Sequence, residues 1–393
     1  MLQATIASLK NAFKEIKHNC IDVWEGDYRL AGRMALKEIL ENRMHNAIDQ
    51  HLEYFRGLKV SDRRNGGYRR HLLTEMGKLE LEIPRTRHYN PVEILNRYAR
   101  RTANIDRMIQ MSFILGLSTQ KVSEALLPVL GEPVSRETVS RIAQQLDGAV
   151  AAYHKRPLVD QYEVMLLDGV VIKRKTGSGA QKRVILVALG IRPGGKKEII
   201  DFTQAQGESQ LAWEGFLHQL YERGIIGQNL KLMITDGGPG LHAALSLVYG
   251  QIPLQRCWAH KTRNVLNHVK DKDHASVKKS LHQITHAPNL FSARQGAKAF
   301  KQKWEDPYPN AVKCLLKDLD HLLTFLTIKV NLKPSEIRTT NAIERRFVEV
   351  RRRTRPMGTF NNHNSVERIL FAIFIHENKK EGTTTPFLLT QKT

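Results

Sequence analysis

The chain has 393 residues, of which 41% are hydrophobic, and a formal charge of +22. This length predicts two or three domains, and the apolar content excludes a disordered chain. The charge predicts a polyanionic partner, either nucleic acid or a membrane surface. We expect no membrane association, because no uncharged apolar run could span a bilayer and no basic amphipathic helix is evident. The 3 cysteines are too few for a disulfide framework and, with no secretory signal, predict a reducing cytoplasm.

Residues 1–150 are predicted to form a mainly helical, DNA-binding N-terminal region. Apolar residues recur with helical spacing through residues 1–60. Residues 63–68 have the composition of a turn. Residues 78–84 then alternate between apolar and polar, as in a half-exposed strand, and residues 71–74 are the expected partner strand.

Residues 117–142 have the pattern of a helix-turn-helix DNA reader. Ser118 and Ser135 are the predicted caps of its two helices. We assign Arg136 and Arg141, on the second helix, to DNA binding. An ordinary helical hairpin is the alternative, and the link between the helices is longer than the usual three or four residues.

From about residue 160 the predicted elements form an α/β order. The strands are 163–168, 169–175 (as a continuation or a new strand), 183–191, 198–202, 230–235 and 252–256, with a turn at 177–179 and helices at 209–223 and 241–248. Antiparallel strands followed by alternating helix and strand predict an RNase H-like catalytic core. We divide the chain into this core, at 155–261 and 337–380, an all-helical insertion at 262–336, and a loose tail at 381–393.

Two aspartates end apolar runs and precede glycine, namely Asp168 and Asp236. An acid at the carboxyl end of a buried strand can direct its carboxylate into a cleft, although each alone is more often a turn residue. Glu344 is a third candidate, and Glu349 and Glu336 are rivals that spacing does not exclude. Such acids would hold two Mg²⁺ ions, with Mn²⁺ as a substitute and Asp168 as the bridging ligand.

Basic residues near these acids are predicted to contact DNA phosphates. The arginine-rich segment around Glu344 has few local acids, so we prefer phosphate contact to a merely solvated helix face. The residues assigned to this role are Lys173, Arg345, Arg346, Arg351, Arg352 and Arg353.

Cys257 and His260 form a Cys-x-x-His sequence after the last predicted strand. A structural zinc ion needs four ligands, and the conceivable further ligands, Cys314, His268 and His274, lack a diagnostic spacing. We therefore predict that Cys257 and His260 form a structural motif with a packing and hydrogen-bonding role. Glu208 is either a supporting acid or simply an early helix residue.

Several ordered motifs resemble those of the Mutator-type transposases of bacterial insertion sequences. They are Leu167-Asp168-Gly169 with Lys173, residues 236–241, residues 255–261 with Arg263 and Asn264, and residues 340–345. The resemblance spans most of the chain, including residues 116–142. It implies an RNase H-like core with an Asp-Asp-Glu triad, and it places that triad on Asp168, Asp236 and Glu344 rather than on Glu349.

The resemblance also implies that the protein binds terminal inverted repeats, assembles as a homo-oligomer on DNA and transfers strands into target DNA. One local departure is that Arg345-Arg346-Phe347 stands where the family often has a further acidic or polar residue. We therefore expect a metal-dependent DNA transposase. The alternatives are a DNA-binding regulator or inactive copy derived from a transposase, and an RNase H-like structure-specific nuclease.

Overall fold

A computed structural model describes residues 2–95, 100–176 and 179–383, with side chains from Tyr28 onwards except that of Thr176. The chain divides into two compact units, which are Met1–Phe113 with Leu117–Ala143, and Ile114–Gly116 with Gln144–Thr393. Within the described residues, no helix is both long enough and apolar enough to cross a membrane.

The first unit begins with a long helix and a β-hairpin: α1 (Leu2–Gly57), β1 (Arg64–Thr74) and β2 (Gly77–Thr86). The strands pair antiparallel with Thr74 opposite Gly77, which confirms the predicted hairpin. The predicted turn at 63–68 is wrong, because residues from Arg64 onwards extend β1. Gly66 has a φ of +65° there, and an irregularity in the strand pairing between Arg64 and Gly67 accommodates it.

Three helices follow: α2 (Ala103–Ile114), α3 (Thr119–Leu130) and α4 (Arg136–Gln144). The predicted caps are present, because Ser118 Oγ accepts a hydrogen bond from the Lys121 amide (3.3 Å) and Ser135 Oγ from the Thr138 amide (3.1 Å). Gly131 ends α3 with a φ of +73°. The residues buried between the helices include Ile105, Ile109, Val122, Leu126, Val139 and Ile142.

The second unit is built on a five-stranded mixed sheet. Its strands are β3 (Val164–Thr176), β4 (Gly179–Ile191), β5 (Lys197–Ala205), β6 (Leu232–Thr235) and β7 (Leu254–Arg256). Their spatial order is β5-β4-β3-β6-β7, in which β3 is antiparallel to β4 but parallel to β6. The predicted strands are confirmed, and residues 169–175 continue β3. Residues 177 and 178 of the predicted turn lie outside the described residues.

Some helices flank this sheet, and several others follow one another in a helical segment after β7. They are α5 (Leu146–Lys155), α6 (Gln210–Glu222), α7 (Pro239–Val248), α8 (Trp258–Leu266), α9 (His274–Thr285), α10 (Leu290–Trp304), α11 (Pro309–Leu316), α12 (Leu319–Leu323), α13 (Pro334–Ile337), α14 (Asn341–Thr354) and α15 (His363–Lys380). The helices α8 to α13 form the helical segment 258–337, which begins slightly earlier than the predicted insertion.

The helices α6 and α7 pack on one face of the sheet. Met165 and Leu167 of β3 belong to the same buried cluster as Trp213 of α6 and Leu241 of α7. Because side chains alternate along a strand, Asp168 is directed to the other face. The helix α14 packs against β3, and α15 packs against β5.

The helix α5 belongs to the second unit, so the predicted N-terminal region ends too late. Its His154 bridges two carboxylates, with Nδ1 2.8 Å from Asp201 Oδ1 and Nε2 2.8 Å from Glu367 Oε2. Burial alone would lower the pKa of His154, but these two hydrogen bonds outweigh it and raise the pKa to about 9. The charged imidazole therefore ties α5 to β5 and α15.

The beginning of the predicted loose tail is in fact packed. Thr383 is buried, and its Oγ1 donates a hydrogen bond to the Lys197 carbonyl at 3.2 Å. Glu381 accepts a hydrogen bond from Arg346 at 2.5 Å. Residues 384–393 lie outside the described residues.

We expect the His154 bridge to make stability depend on pH. The folded-state pKa of about 9 exceeds the ordinary value of 6.5, so the stabilisation is complete below pH 6.5 and disappears as the pH rises through 9. Over this interval the free energy of unfolding of the wild type should fall by about 2–3 kcal/mol more than that of His154→Gln. Urea unfolding of both proteins at pH 6 and pH 9.5 measures the difference, and parallel pH profiles would contradict a charged His154.

Candidate active site

Asp168 and Asp236 come directly after a paired position of two neighbouring parallel strands. The register pairs Leu167 of β3 with Thr235 of β6, and the residue that follows each of them is an aspartate. The strand β6 ends at Thr235, whereas β3 continues to Thr176 and is paired beyond this point with β4. Asp168 therefore lies within a strand, at the edge where its neighbour ends, and Asp236 lies in the loop that follows.

The loop after β6 is shaped by two glycines. Gly237 has a φ of +87°, a left-handed conformation that disfavours side chains, and the Gly238 amide donates to Asp236 Oδ1 at 3.0 Å. Pro239 then begins α7. The carboxylate of Asp236 is thus held by its own loop at the amino end of that helix.

The third acid, Glu344, comes from the first turn of α14. Its Oε1 lies 3.4 Å from Nε2 of His260, the fourth residue of the Cys-x-x-His sequence. Within the described part of the chain, this buried Oε1 has no hydrogen-bond donor. The two rival glutamates are occupied elsewhere, since Glu349 pairs with Arg353 at 2.6 Å and Glu336 with Lys197 at 3.0 Å.

The charges of Asp236 and Glu344 both act on Asp168. The pKa of Asp168 is raised to about 7, first by burial and then by the charges of Asp236 and Glu344, against the hydrogen bond from the Gly169 amide and the charge of His260. Asp168 Oδ1 accepts that amide hydrogen bond at 2.8 Å. A group of carboxylates that repel one another is one that a divalent cation would stabilise.

The donor set fits a hard cation such as Mg²⁺. Carboxylate oxygens are the ligands that Mg²⁺ prefers, and Glu344 Oε1 is a buried oxygen without a donor. Across residues 28–95, 100–175 and 179–383, no three His, Cys, Asp or Glu side chains already surround one metal position. The carboxylates would therefore have to turn towards a shared ion.

Cys257 and His260 join the acid cluster to the start of α14. Cys257 is buried, and its Sγ accepts hydrogen bonds from both the amide and the Oγ1 of Thr340, each at 3.2 Å. The hydrogen bond with Cys257 raises the pKa of His260 to about 9 against burial, and the charges of Asp168 and Glu344 add to the effect. The geometry matches the predicted hydrogen-bonding role.

Sequence reasoning did not foresee that His260 lies against Glu344. Of the suggested further zinc ligands, His274 lies with its Nε2 3.0 Å from the Val269 carbonyl. Because His260 and Glu344 are far apart in sequence, spacing carried no signal for their contact.

Glu208 is a fourth acid near this edge of the sheet. A Cβ at Gly169 would lie 2.5 Å from Glu208 Oε1, so the absence of a side chain at Gly169 admits this carboxylate. Burial raises the pKa of Glu208, and the charge of Asp236 raises it further. Glu208 also precedes Ser209, whose Oγ caps α6 by accepting from the Ala212 amide at 3.2 Å. Glu208 therefore lies outside α6, and its interpretation as an early helix residue is wrong.

The structure does not bring Lys173 to the carboxylates. It is exposed on β3, five residues beyond Asp168. An odd separation directs the two side chains to opposite faces of the sheet, and the distance along the strand is about 17 Å. Any contact of Lys173 with DNA would therefore be remote from the acids.

The arginines of α14 divide into two groups. Arg346 and Arg353 are largely buried and paired, Arg346 with Glu377 and Glu381, and Arg353 with Glu349. The predicted DNA contacts of Arg346 and Arg353 are therefore corrected. The prediction assumed few local acids, but Glu377 lies on α15, Glu381 directly follows that helix, and Glu349 lies one turn before Arg353. The exposed or half-exposed members are Arg345, Arg351 and Arg352. In the first unit, Arg136 and Arg141 are exposed on α4, and Arg136 donates to Gln120 at 3.0 Å.

Known proteins similar to this chain point to one family. Residues 5–382 match the family described as Transposase, Mutator family. The transposase for insertion sequence element IS905 of Lactococcus lactis is 32% identical, over 87% of this chain and 89% of that protein. The transposase for ISRM5 of Rhizobium meliloti is 30% identical, over 89% and 88%. The transposase for IS256 in transposon Tn4001 of Staphylococcus aureus is 29% identical, over 86% of each.

Among solved structures, a chain in the complex of the simian T-cell lymphotropic virus intasome with PP2A regulatory subunit B56 gamma matches 46% of this chain and 69% of its own length, at 13% identity. Its TM-score of 0.18 is too low to support a conclusion about fold or function. The family match, by contrast, extends over nearly the whole sequence and agrees with the resemblance of the individual motifs. The chain therefore belongs to the Mutator family of transposases.

Proposed function

We propose that this transposase binds the ends of its insertion sequence and catalyses metal-dependent cleavage and strand transfer at Asp168, Asp236 and Glu344. The observation that carries the proposal is that Asp168 and Asp236 directly follow the paired residues Leu167 and Thr235, and that the charges of Asp236 and Glu344 both act on Asp168. Family membership supports the same activity. An RNase H-like core is also part of the proposal, supported by the strand order β5-β4-β3-β6-β7 with helices packed against the sheet.

The chemistry exchanges one phosphodiester bond for another. Water first attacks phosphorus at the element end, and the 3′ oxygen leaves as a hydroxyl. This hydroxyl then attacks a target phosphodiester, whose own 3′ oxygen leaves. When bound, a pair of Mg²⁺ ions supplies charge neutralisation at the phosphate and lowers the pKa of the attacking hydroxyl group.

The residues of the chain have distinct parts in this proposal. Asp168, whose carboxylate is influenced by the charges of both other acids, would bridge the ions, and Asp236 and Glu344 would each complete one ion's ligands. His260 lies beside Glu344, with Nε2 3.4 Å from Oε1, and would help to orient that carboxylate. The His260 ring is itself hydrogen-bonded with Cys257, and its Nδ1 lies 3.4 Å from Thr340 Oγ1.

DNA contact is assigned to exposed cations in each unit. We retain Arg136 and Arg141 of α4 for the terminal inverted repeats, and Arg345, Arg351 and Arg352 of α14 for DNA near the acids. Cleavage and joining of two element ends would require at least two subunits on DNA, so we propose a homo-oligomer there.

We expect Arg352 and Arg353 to behave differently, although they are adjacent. Arg352→Gln removes the positive charge of a side chain that is 76% exposed, so it should reduce the slope of log affinity against log salt by about one without changing the melting temperature. Arg353→Gln leaves Glu349 without its close partner and should lower the melting temperature. Fluorescence anisotropy with a short duplex over a salt series, beside thermal unfolding, separates the two. An unchanged salt slope for Arg352→Gln would contradict the assignment.

The test of the proposed function is a cleavage and joining assay with the full chain. The substrate is a labelled duplex bearing the host element's own ends, mixed with a plasmid target, in Mg²⁺ or Mn²⁺ and in EDTA. A duplex with scrambled ends is the matched control. Metal-dependent nicking and joining of the true ends supports the proposal. Cutting without joining indicates a nuclease, and specific binding without cutting indicates a regulator or inactive copy.

A further inference from the structure

The helical segment 258–337 is hydrogen-bonded to the strand beside the Asp236 loop. The side-chain Nε2 of Gln255, in β7, donates to the Leu322 carbonyl at 2.9 Å, and its Oε1 accepts from the Phe325 amide at 2.8 Å. Within the segment, Trp258 Nε1 donates to the same Leu322 carbonyl at 2.7 Å. These buried contacts join α12 and the turn after it to the edge of the sheet.

One arginine extends this connection to the loop itself. Arg256, the last residue of β7, donates through Nη2 to the Gly237 carbonyl at 2.7 Å and lies 3.5 Å from the Asp236 carbonyl. Its Nη1 pairs with Asp318 Oδ1 at 2.5 Å. The other oxygen of Asp318 is hydrogen-bonded by Lys261. Asp318, just before α12, therefore fixes the guanidinium that holds the loop.

The loop has the shape that this arrangement requires. A Cβ at Gly237 would lie 1.8 Å from Arg256 Nη2, so the backbone passes directly over the guanidinium. Two successive glycines give the loop high conformational freedom when nothing restrains it. The side chains of Arg256 and Asp318 are only 16% and 11% exposed, so their pairing is poorly screened by water.

We propose that Arg256 and Asp318 are positioning residues through which the helical segment 258–337 holds Asp236 in its metal-binding position. The proposal rests on the proposed function, because that function makes Asp236 a metal ligand. Neither residue need touch the DNA or the ions. Their part is to fix the carbonyls of Asp236 and Gly237, and so to direct the Asp236 carboxylate. Outer partners of this kind affect metal affinity or activity by about 10–100-fold.

The experiment compares Asp318→Asn and Arg256→Lys with Asp320→Asn. Asp320 lies two residues after Asp318 and pairs with Arg294 on the exposed surface. Its substitution therefore removes a similar charge but leaves the contact between Asp318 and Arg256 intact. Arg256→Lys retains the charge and loses the planar guanidinium that joins two partners. The first readout is hydrogen–deuterium exchange of the metal-free protein. The second is the Mn²⁺ concentration at half-maximal cleavage, with binding of the element ends measured alongside.

We expect amide exchange in residues 236–240 to rise at least about tenfold in Asp318→Asn and Arg256→Lys, with the Asp320→Asn control unchanged. The half-saturating Mn²⁺ concentration should rise about tenfold, and DNA binding should stay within about twofold. Exchange at the loop equal to that of the wild type would overturn the proposal, as would an equal rise throughout the second unit. If Asp318→Asn does not fold, Arg256→Lys decides. If the wild type neither binds Mn²⁺ nor cleaves, the proposed function fails, while metal-free exchange still shows whether the loop is held.

Discussion

Replacing Asp168 by asparagine is expected to reduce both DNA cleavage and joining by at least about 10³-fold. Asparagine keeps the size of the side chain and can still accept the hydrogen bond from the Gly169 amide. It removes the negative charge that would bridge two cations, and an amide oxygen does not replace it. Asp236→Asn and Glu344→Gln should have effects of the same order, while binding of the element ends stays within about twofold.

The matched controls for Glu344→Gln are Glu349→Gln and Glu336→Gln. Glu349 lies five residues further along α14, which turns it to a different side of the helix, and it pairs with Arg353. Glu336 pairs with Lys197. Both controls should keep cleavage within about threefold of the wild type, measured on the same labelled ends. Loss of cleavage in Glu349→Gln with full activity in Glu344→Gln would show that the third acid is misassigned.

Replacing Asp201 by asparagine is expected to lower the free energy of unfolding by about 3 kcal/mol. Asp201 is 2% exposed and accepts from Arg223 and from His154, so its carboxylate neutralises two cations in the interior of the second unit. Asparagine retains the shape but leaves both cations without their shared anion. Removal of one partner from a buried ion pair is costly because the remaining charge stays desolvated.

Urea unfolding at pH 7 measures this loss, with Asp320→Asn as the control. Asp320 and its partner Arg294 are 85% and 61% exposed, and exposed pairs contribute little. The control should therefore change the free energy of unfolding by less than about 0.5 kcal/mol. A loss below about 1 kcal/mol in Asp201→Asn would mean that the hydrogen bonds of Arg223 and His154 to other groups suffice.

Local chemistry explains which features the sequence could predict. The strands of the second unit follow from apolar runs between turn residues, and the caps Ser118 and Ser135 from their hydroxyls at the start of helical patterns. Two similar apolar runs, each ending in an aspartate before glycine, indicated Asp168 and Asp236, although Asp168 lies within β3 and only Asp236 follows the end of a strand. The wrong turn at 63–68 has the same origin, because its glycines suggest a turn locally while pairing with β2 makes the segment a strand.

The amino-acid sequence by itself thus determined the element order and, through the resemblance, the family, and it predicted Asp168, Asp236 and Glu344 as the acids. Only the tertiary structure decided which side chains meet. It placed His260 against Glu344, paired Arg346 and Arg353 with acids, and joined Asp318 to Arg256. The physical reason is the difference in sequence separation between the residues that interact. Turns, caps and periodicity depend on neighbours a few residues apart, whereas an ion pair depends on the distance between atoms that chain folding alone brings together.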